Sequence, residues 1–306
     1  MKIPENSWPG IYKYLGDETD GFIDRVEKRI EKLKKAWQLS DFTFMPTDTI
    51  NLLYSCESAL YGTCVLKMCI PGPEVATEIN CLRAYDNKGY CKLYAYDLED
   101  DALLLEKVKP GNQMWDVKNY KERARLMGTV INELSFINDA KEQYPTYLSW
   151  MKGIHETLTK MTGLDDVLDY LNKAIEIYKE LKSRHSKSCL LHGDLHQENM
   201  LLNSSGSYTI IDPKGVIDDP VMETARFLMN ETPDDPTPDD AKKIKEMVAI
   251  MSPMINISEP DILKSMYIDA ALSNSWTMEG HYASKEAFEK VKQSVLKTCN
   301  FVYKLI

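Results

Sequence analysis

Along residues 22–38, "FIDRVEKRIEKLKKAWQ" places Phe22, Val26, Ile30, Leu33 and Trp37 at helical spacing with charged residues between them. That period predicts an amphipathic helix with one apolar stripe against a core. Two runs rich in β-branched and apolar residues follow, "TINLLYSC" and "GTCVLKMCI", with "ESALYG" between them to turn the chain. An antiparallel hairpin is expected. Pro-Gly punctuation then opens "PGPEVATEINCLRAY", a second helix with Val75, Ile79 and Leu82 on one face. "YCKLYAYD" and "ALLLEKV" read as two more strands around the acidic turn "LEDD".

From about residue 115 the period turns helical: "YKERARLMGTVINELSF", "VLDYLNKAIEIYKELKS", "PDDAKKIKEMVAIM" and "SKEAFEKVKQSVLKTCNFVYKL". Only "NMLLN" and "YTIID", joined by "SSGS", read as strands in this half. The pattern predicts an α+β protein of two lobes. Residues 1–108 form a small β-rich N-terminal lobe, and residues 109–306 a larger, mainly helical C-terminal lobe. Lys107 to Gln113 connect them, and a cleft between lobes is the usual place for a ligand.

Hydrophobic residues make up 43% of the 306, with no low-complexity tract, which fits a compact globular chain. The net charge of -10, from 47 acidic against 37 basic side chains, disfavours nucleic acid and anionic membranes as partners. No run of about 18 apolar residues occurs, and the first twenty lack a signal-peptide core. Seven cysteines are scattered without a CxxC pair, so neither a disulfide framework nor a zinc site is expected. A reduced, cytoplasmic protein is the expectation, and nothing in the chain fixes an oligomeric state.

The chemistry concentrates in "LLHGDLHQENMLL", which starts at Leu190 and sets an acid, two histidines and an amide between apolar ends. Asp194 and Asn199 stand in a D-x-x-x-x-N spacing, and Asp212 ends the strand "YTII" thirteen residues further on. An amide and a carboxylate so placed can share Mg2+, with substrate phosphates completing its shell. Asp194 is then left to accept a proton from a hydroxyl nucleophile. That is the spacing of a kinase catalytic loop, with the later Asp in the metal-binding position. The competing reading is a polar turn in which His192 packs structurally.

Lys67 lies within the apolar strand "GTCVLKMCI", where an ammonium without an anion is costly. A helix carrying Glu78 follows, and that pair can present the ammonium to the α- and β-phosphates of ATP. Glu74 is the rival partner, and a surface-facing lysine the plainer alternative. The backbone of Glu106, Lys107 and Val108 is positioned to meet an adenine edge. No G-x-G-x-x-G precedes Lys67; the turn "SCESALYG" offers Ser55 and Ser58 to cover phosphates instead.

"LLHGDLHQENMLL", "YTIIDPKGVIDDPVMETARFLMNE", "CVLKM" and "ALLLEKVKPG" together resemble the aminoglycoside and hydroxyurea resistance kinases, in their streptomycin kinase-like branch. The likeness spans roughly residues 45 to 285. It implies a protein-kinase-like fold and ATP-dependent phosphorylation of a small-molecule hydroxyl. It makes Asp194 the general base, Asn199 and Asp212 the Mg2+ ligands, and Lys67 with Glu78 the holders of the nucleotide phosphates. His192 would shape the loop. Lys214 would either stabilise the transferring phosphoryl group or pair with a neighbouring carboxylate.

Acceptors of the aminoglycoside class are cationic, so acidic side chains are expected around them. Asp218, Glu223 and Glu279, with Trp276 as a platform, are the candidate acceptor residues. Asp219 and Glu223 equally suit the opening of a helix in "DDPVMETARF". The acidic stretch from Glu231 to Asp240 reads as a solvated loop able to steer a cation. A silent nucleotide-binding scaffold is the rival from another class. A protein kinase is disfavoured, since "DPKGVIDDP" runs straight into a helix with little room for a peptide platform.

Overall fold

A computed structural model describes residues 11–12, 15–46, 51–138, 140, 143–280, 282 and 284–306. Residues 1–10, read above for a leader sequence, and 49–50, in the first predicted strand, lie outside it. The fold is α+β and kinase-like, an antiparallel β-sheet followed by a mostly helical part. Helix α1 (Thr19–Ala36) precedes strands β1 (Leu39–Met45), β2 (Leu52–Ser58) and β3 (Gly62–Met68). Helix α2 (Pro73–Tyr85) and strands β4 (Leu93–Asp97) and β5 (Ala102–Glu106) follow. The five strands form one antiparallel sheet in the order β1-β2-β3-β5-β4.

Alternation divides the two faces of this sheet. Leu52, Tyr54, Cys56, Cys64, Leu66, Met68 and Leu104 are buried against Phe22, Val26, Ile30 and Leu33 of α1. The opposite face carries Leu53, Ser55, Val65, Lys67, Leu103 and Leu105, which are cross-strand partners. Arg29 and Lys32 of α1 ion-pair with Asp100, and Arg29 also with Asp101, so the acidic turn expected at 98–101 is fastened to the helix. Strand β1 was not anticipated. Its alternation is broken by an irregularity between Ser40 and Thr43, with Asp41 at positive φ, which hides the period-2 signal.

The second half begins with β6 (Pro110–Gln113), followed by α3 (Tyr120–Glu133), β7 (Ile137–Asn138), α4 (Tyr147–Leu158) and α5 (Asp165–Lys182). Then come β8 (Cys189–Leu191), β9 (Met200–Asn203), β10 (Tyr208–Ile210) and β11 (Val216–Asp218). Helices α6 (Ala225–Asn230), α7 (Pro238–Ile255), α8 (Glu259–Thr277) and α9 (Lys285–Tyr303) close the chain. The expectation of only two strands here is corrected: β6, β7, β8 and β11 build two three-stranded sheets with β9 and β10. Strands of two to four residues are too short to show alternation in a sequence.

One apolar cluster runs through both halves, from Ile79, Leu82 and Tyr85 of α2 to Leu190, Val216 and Phe227. The Tyr85 hydroxyl donates to the Leu190 carbonyl at 2.5 Å, and Cys91 N–H donates to the Ile210 carbonyl at 2.8 Å. No helix among the described residues is long and apolar enough to cross a membrane. All seven cysteines are buried free thiols.

Candidate active site

Strand β8 ends at Leu191, and the chain then loops through His192–Asn199 into β9. His192 is fully buried. Its Nδ1 accepts the Asp194 N–H at 3.0 Å, so the proton sits on Nε2, which donates to the Ile211 carbonyl at 2.8 Å. Burial pushes its pKa down to about 4, keeping the ring neutral. The His192 carbonyl in turn accepts the N–H groups of Lys214 at 2.9 Å and Gly215 at 3.2 Å. One imidazole and its own peptide thus tie the 192–194 loop to the 211–215 loop.

Asn199 is held beside Asp194, its Nδ2 donating to the Asp194 carbonyl at 2.9 Å. Its own carbonyl accepts Ile211 N–H at 3.0 Å, which brings Asp212 alongside. Asp212 has a left-handed backbone with φ of +58°, a strained conformation of the kind found at functional sites. Among the described residues no cluster of three or more His, Cys, Asp or Glu side chains would hold a metal. An amide oxygen and a carboxylate suit a magnesium ion whose remaining ligands are water and phosphate.

From β3, Lys67 Nζ stands 2.7 Å from both carboxylate oxygens of Glu78 and also ion-pairs with Asp212. Only 4% of Lys67 is exposed. Its burial favours the neutral amine, but Asp212 and Glu78 outweigh that and hold the ammonium charged. Burial likewise raises the Asp212 pKa, and the Lys67 and Lys214 cations reverse it, keeping the carboxylate well below its usual range. Glu74, the rival for Lys67, instead pairs with Lys214 Nζ at 2.7 Å. Desolvation lowers the Lys214 pKa, but Glu74, Asp194 and Asp212 raise it further, so this ammonium lies within their field.

Ser55 shares the cleft face with Lys67, because its cross-strand partner is Val65. Its hydroxyl accepts a 2.6 Å bond from Lys107 Nζ. Ser58 does not share that face. Three residues from Ser55, it falls on the opposite side of the pleat, where its hydroxyl donates to the Trp37 carbonyl at 2.9 Å. The phosphate-covering role expected for Ser58 is withdrawn. Glu106, Lys107 and Val108 border a cavity of about 300 Å³ with Thr63 of β3, Tyr94 of β4 and Asn203 of β9.

The expected acceptor carboxylates divide sharply. Asp218 is buried on β11 and is taken up by Tyr178 Oη at 2.8 Å, Lys182 Nζ at 2.9 Å and Asp219 N–H. Glu223 accepts the N–H groups of His192 at 2.8 Å and Gly193 at 3.2 Å, and burial pushes its pKa up to about 7. Neither is free for an acceptor: Asp218 braces α5 and Glu223 the 192–194 loop. Asp219 caps the 3-10 turn Pro220–Thr224 through Val221 N–H. Glu231 is also not part of a solvated loop, being buried in ion pairs with Arg123 and Lys243.

Trp276 is half-buried and meets Trp150 edge-on at 5.5 Å, and Trp150 meets Tyr147 at 5.3 Å. Glu279 is exposed one turn beyond Trp276. Sequence reasoning missed Arg226 and Asp269. Arg226 Nε lies 3.1 Å from Asp194 Oδ1, and its Nη2 lies 3.2 Å from Asp269 Oδ1. The signal for Arg226 was a lone cation opening the apolar helix "ARFLMN"; that for Asp269 was an acid inside the apolar run "MYIDAAL".

An ammonium–carboxylate pair that meets a second carboxylate, Asp212, is compatible with phosphoryl transfer. A sequence profile of the aminoglycoside/hydroxyurea antibiotic resistance kinase family matches residues 37–280. The chain belongs to this family. As an aminoglycoside/hydroxyurea kinase it is a small-molecule phosphotransferase. It is 26% identical over 239 residues to a hydroxyurea phosphotransferase of Kitasatospora aureofaciens, covering 75% of this chain and 68% of that one. It is 21% identical over 234 residues to a streptomycin 6-kinase of Streptomyces griseus, covering 72% of each. The fold is similar to that of a thermostable mutant of aminoglycoside phosphotransferase APH(4)-Ia in ternary complex with ADP and hygromycin B. That likeness has a TM-score of 0.60 at 12% identity, over 90% of this chain and 97% of the other.

Proposed function

We propose that this kinase transfers the γ-phosphoryl group of ATP, with Mg2+, to a hydroxyl of a cationic small molecule, an aminoglycoside such as streptomycin. Hydroxyurea or another small alcohol is the alternative acceptor. The observation that carries the reading is the meeting of Lys67, Glu78 and Asp212, with His192 tying the Asp194 loop to the segment that carries Asp212. The relative bound to ADP and hygromycin B supports a nucleotide and an aminoglycoside as the pair of ligands.

In this mechanism Lys67 steadies the α- and β-phosphates and Glu78 fixes the direction of its ammonium. Asn199 and Asp212 would hold the magnesium ion, which neutralises phosphate charge. Asp194 orients the acceptor hydroxyl and takes its proton. Lys214 moves from Glu74 to the charge on the transferring group. Trp276 and Glu279 contribute to the acceptor wall. The backbone of Glu106 to Val108 meets the adenine, and Ser55 with Lys107 borders the phosphates. Most of this is positioning and charge neutralisation, which is what phosphoryl transfer asks of a protein.

The test is a turnover screen with Mg-ATP over aminoglycosides, hydroxyurea and small alcohols, repeated with Asp194→Ala. Phosphorylation of at least one acceptor is expected, falling by ~10²-fold or more in the variant while nucleotide binding survives. A variant that turns over normally would remove Asp194 from the mechanism. Absence of transfer to every acceptor would remove the reading.

A further inference from the structure

The segment Pro220–Glu231 grips the catalytic loop at three consecutive levels. Glu223 takes the N–H groups of His192 and Gly193. Arg226 ion-pairs with the Asp194 side chain, and the Phe227 carbonyl and Glu231 carboxylate both accept from Gln197 Nε2, at 3.1 and 2.8 Å. Positions 223, 226, 227 and 231 recur at helical spacing, so they share one face. This segment lies along the loop as a splint. Of its contacts, only that of Arg226 reaches the carboxylate that meets the acceptor.

Arg226 is itself held from behind. Its guanidinium spans two carboxylates with two different nitrogens, Nε toward Asp194 and Nη2 toward Asp269 of α8. Asp269 is 1% exposed, and its Oδ2 has no hydrogen-bond partner. Arg226 Nε has no hydrogen-bond partner, so its contact with Asp194 is an ion pair without hydrogen-bond alignment, and what the arginine supplies is reach: two of its nitrogens meet two carboxylates that a compact ammonium could not span. With Oδ1 of Asp194 engaged by Arg226, Oδ2 remains, 3.9 Å from Nε2 of His196, whose ring burial keeps toward the neutral form.

We propose that Arg226, anchored by Asp269, is a positioning residue that clamps Asp194 through Oδ1 and so reserves Oδ2 for the acceptor hydroxyl. The inference rests on the kinase reading above. In the step it serves, the acceptor O–H bond breaks and its proton goes to Asp194 Oδ2. The hydroxyl oxygen forms a bond to the γ-phosphorus. The bond from that phosphorus to the β,γ-bridging oxygen breaks, and its electron pair leaves on ADP. Arg226 touches none of the reacting atoms. It keeps the accepting oxygen from rotating away.

The experiment compares Arg226→Ala, Arg226→Lys, Asp269→Asn and the double variant Arg226→Ala with Asp269→Ala, which removes both buried charges if the single alanine does not fold. Arg226→Ala and the double variant are expected to lower kcat by ~10²-fold, the cost of a misplaced reacting group, with KM for ATP unchanged. Guanidinium or ethylguanidinium added at millimolar concentration restores part of the kcat of Arg226→Ala. Arg226→Lys gives little recovery, since a single ammonium keeps the charge but cannot reach both Asp194 and Asp269. Asp269→Asn, which keeps shape, falls less than Arg226→Ala. A kcat within twofold of wild type in the variants lacking Arg226, or a loss matched by an equal rise in KM for ATP, overturns the proposal.

Crystal structures of the same variants read the clamp without turnover. Rotation of the Asp194 carboxylate supports the inference even if the wild type phosphorylates no acceptor, which would remove the kinase reading alone. A carboxylate that stays in place without Arg226 overturns it.

Discussion

Gly193 gives the sharpest test of how the catalytic loop is packed. Its φ is +79°, and a Cβ there would stand 2.7 Å from Val216 Cγ1 and 3.1 Å from Trp150 Cη2. Ordinary carbon contacts begin at about 3.5 Å, so Gly193→Ala is short of room by roughly 0.8 Å toward Val216. Val216 is fully buried on β11 and β-branched, so it cannot turn aside. Placing a side chain in the left-handed region costs ~1–2 kcal/mol, and the forced overlap ~1–3 kcal/mol more. The expected loss of stability is ~2–5 kcal/mol, measured by urea unfolding. The loop relieves the clash by moving, and a shift near 1 Å at the adjoining Asp194 lowers turnover by ~10²-fold. Gly206→Ala is the control. Its φ is +83° with nothing within 4 Å of an added Cβ, so it pays only the conformational cost. If Gly193→Ala were no less stable than Gly206→Ala, or turned over like wild type, the packing argument would be wrong.

Three more outcomes are expected. His192, with its pKa depressed to about 4 against ~6.5 when unfolded, contributes stability that is present above pH ~6.5 and lost as pH falls toward 4. Near pH 5 the loss is about 2 kcal/mol relative to His192→Asn in urea unfolding, and parallel pH profiles for the two proteins would contradict it. Asp212→Ala abolishes thermal stabilisation by Mg-ATP, and an unchanged melting shift would count against its role as a metal ligand. Glu74→Ala leaves kcat within about threefold, whereas Lys214→Ala lowers it by ~10²-fold or more; equal effects would reduce Lys214 to a partner of Glu74.

Much of the site was legible because its parts are local in the chain. Asp194 and Asn199 share one loop, Asp212 ends the next hairpin, and an apolar strand declares Lys67 by contrast. Faces and satisfaction were harder to see. Ser58 has the right chemistry three residues from Ser55, but the pleat turns it away, and the bulged β1 that places Trp37 and Gln38 beside it shows no clean period. Asp218 and Glu223 carry the sign an aminoglycoside site needs, yet each is used by partners 30 to 40 residues away. Arg226 and Asp269 meet only when α6 packs on α8. A sequence shows charges in order along the chain and does not show which of them the fold has already spent.

The bond from Tyr85 to the Leu190 carbonyl bears on control. Helix α2 carries Glu78, and its far end is pinned to the strand that leads into the catalytic loop. A substitution that freed Tyr85 would therefore loosen the helix that carries Glu78, and with it the contact to Lys67, from a point seven residues away in the chain.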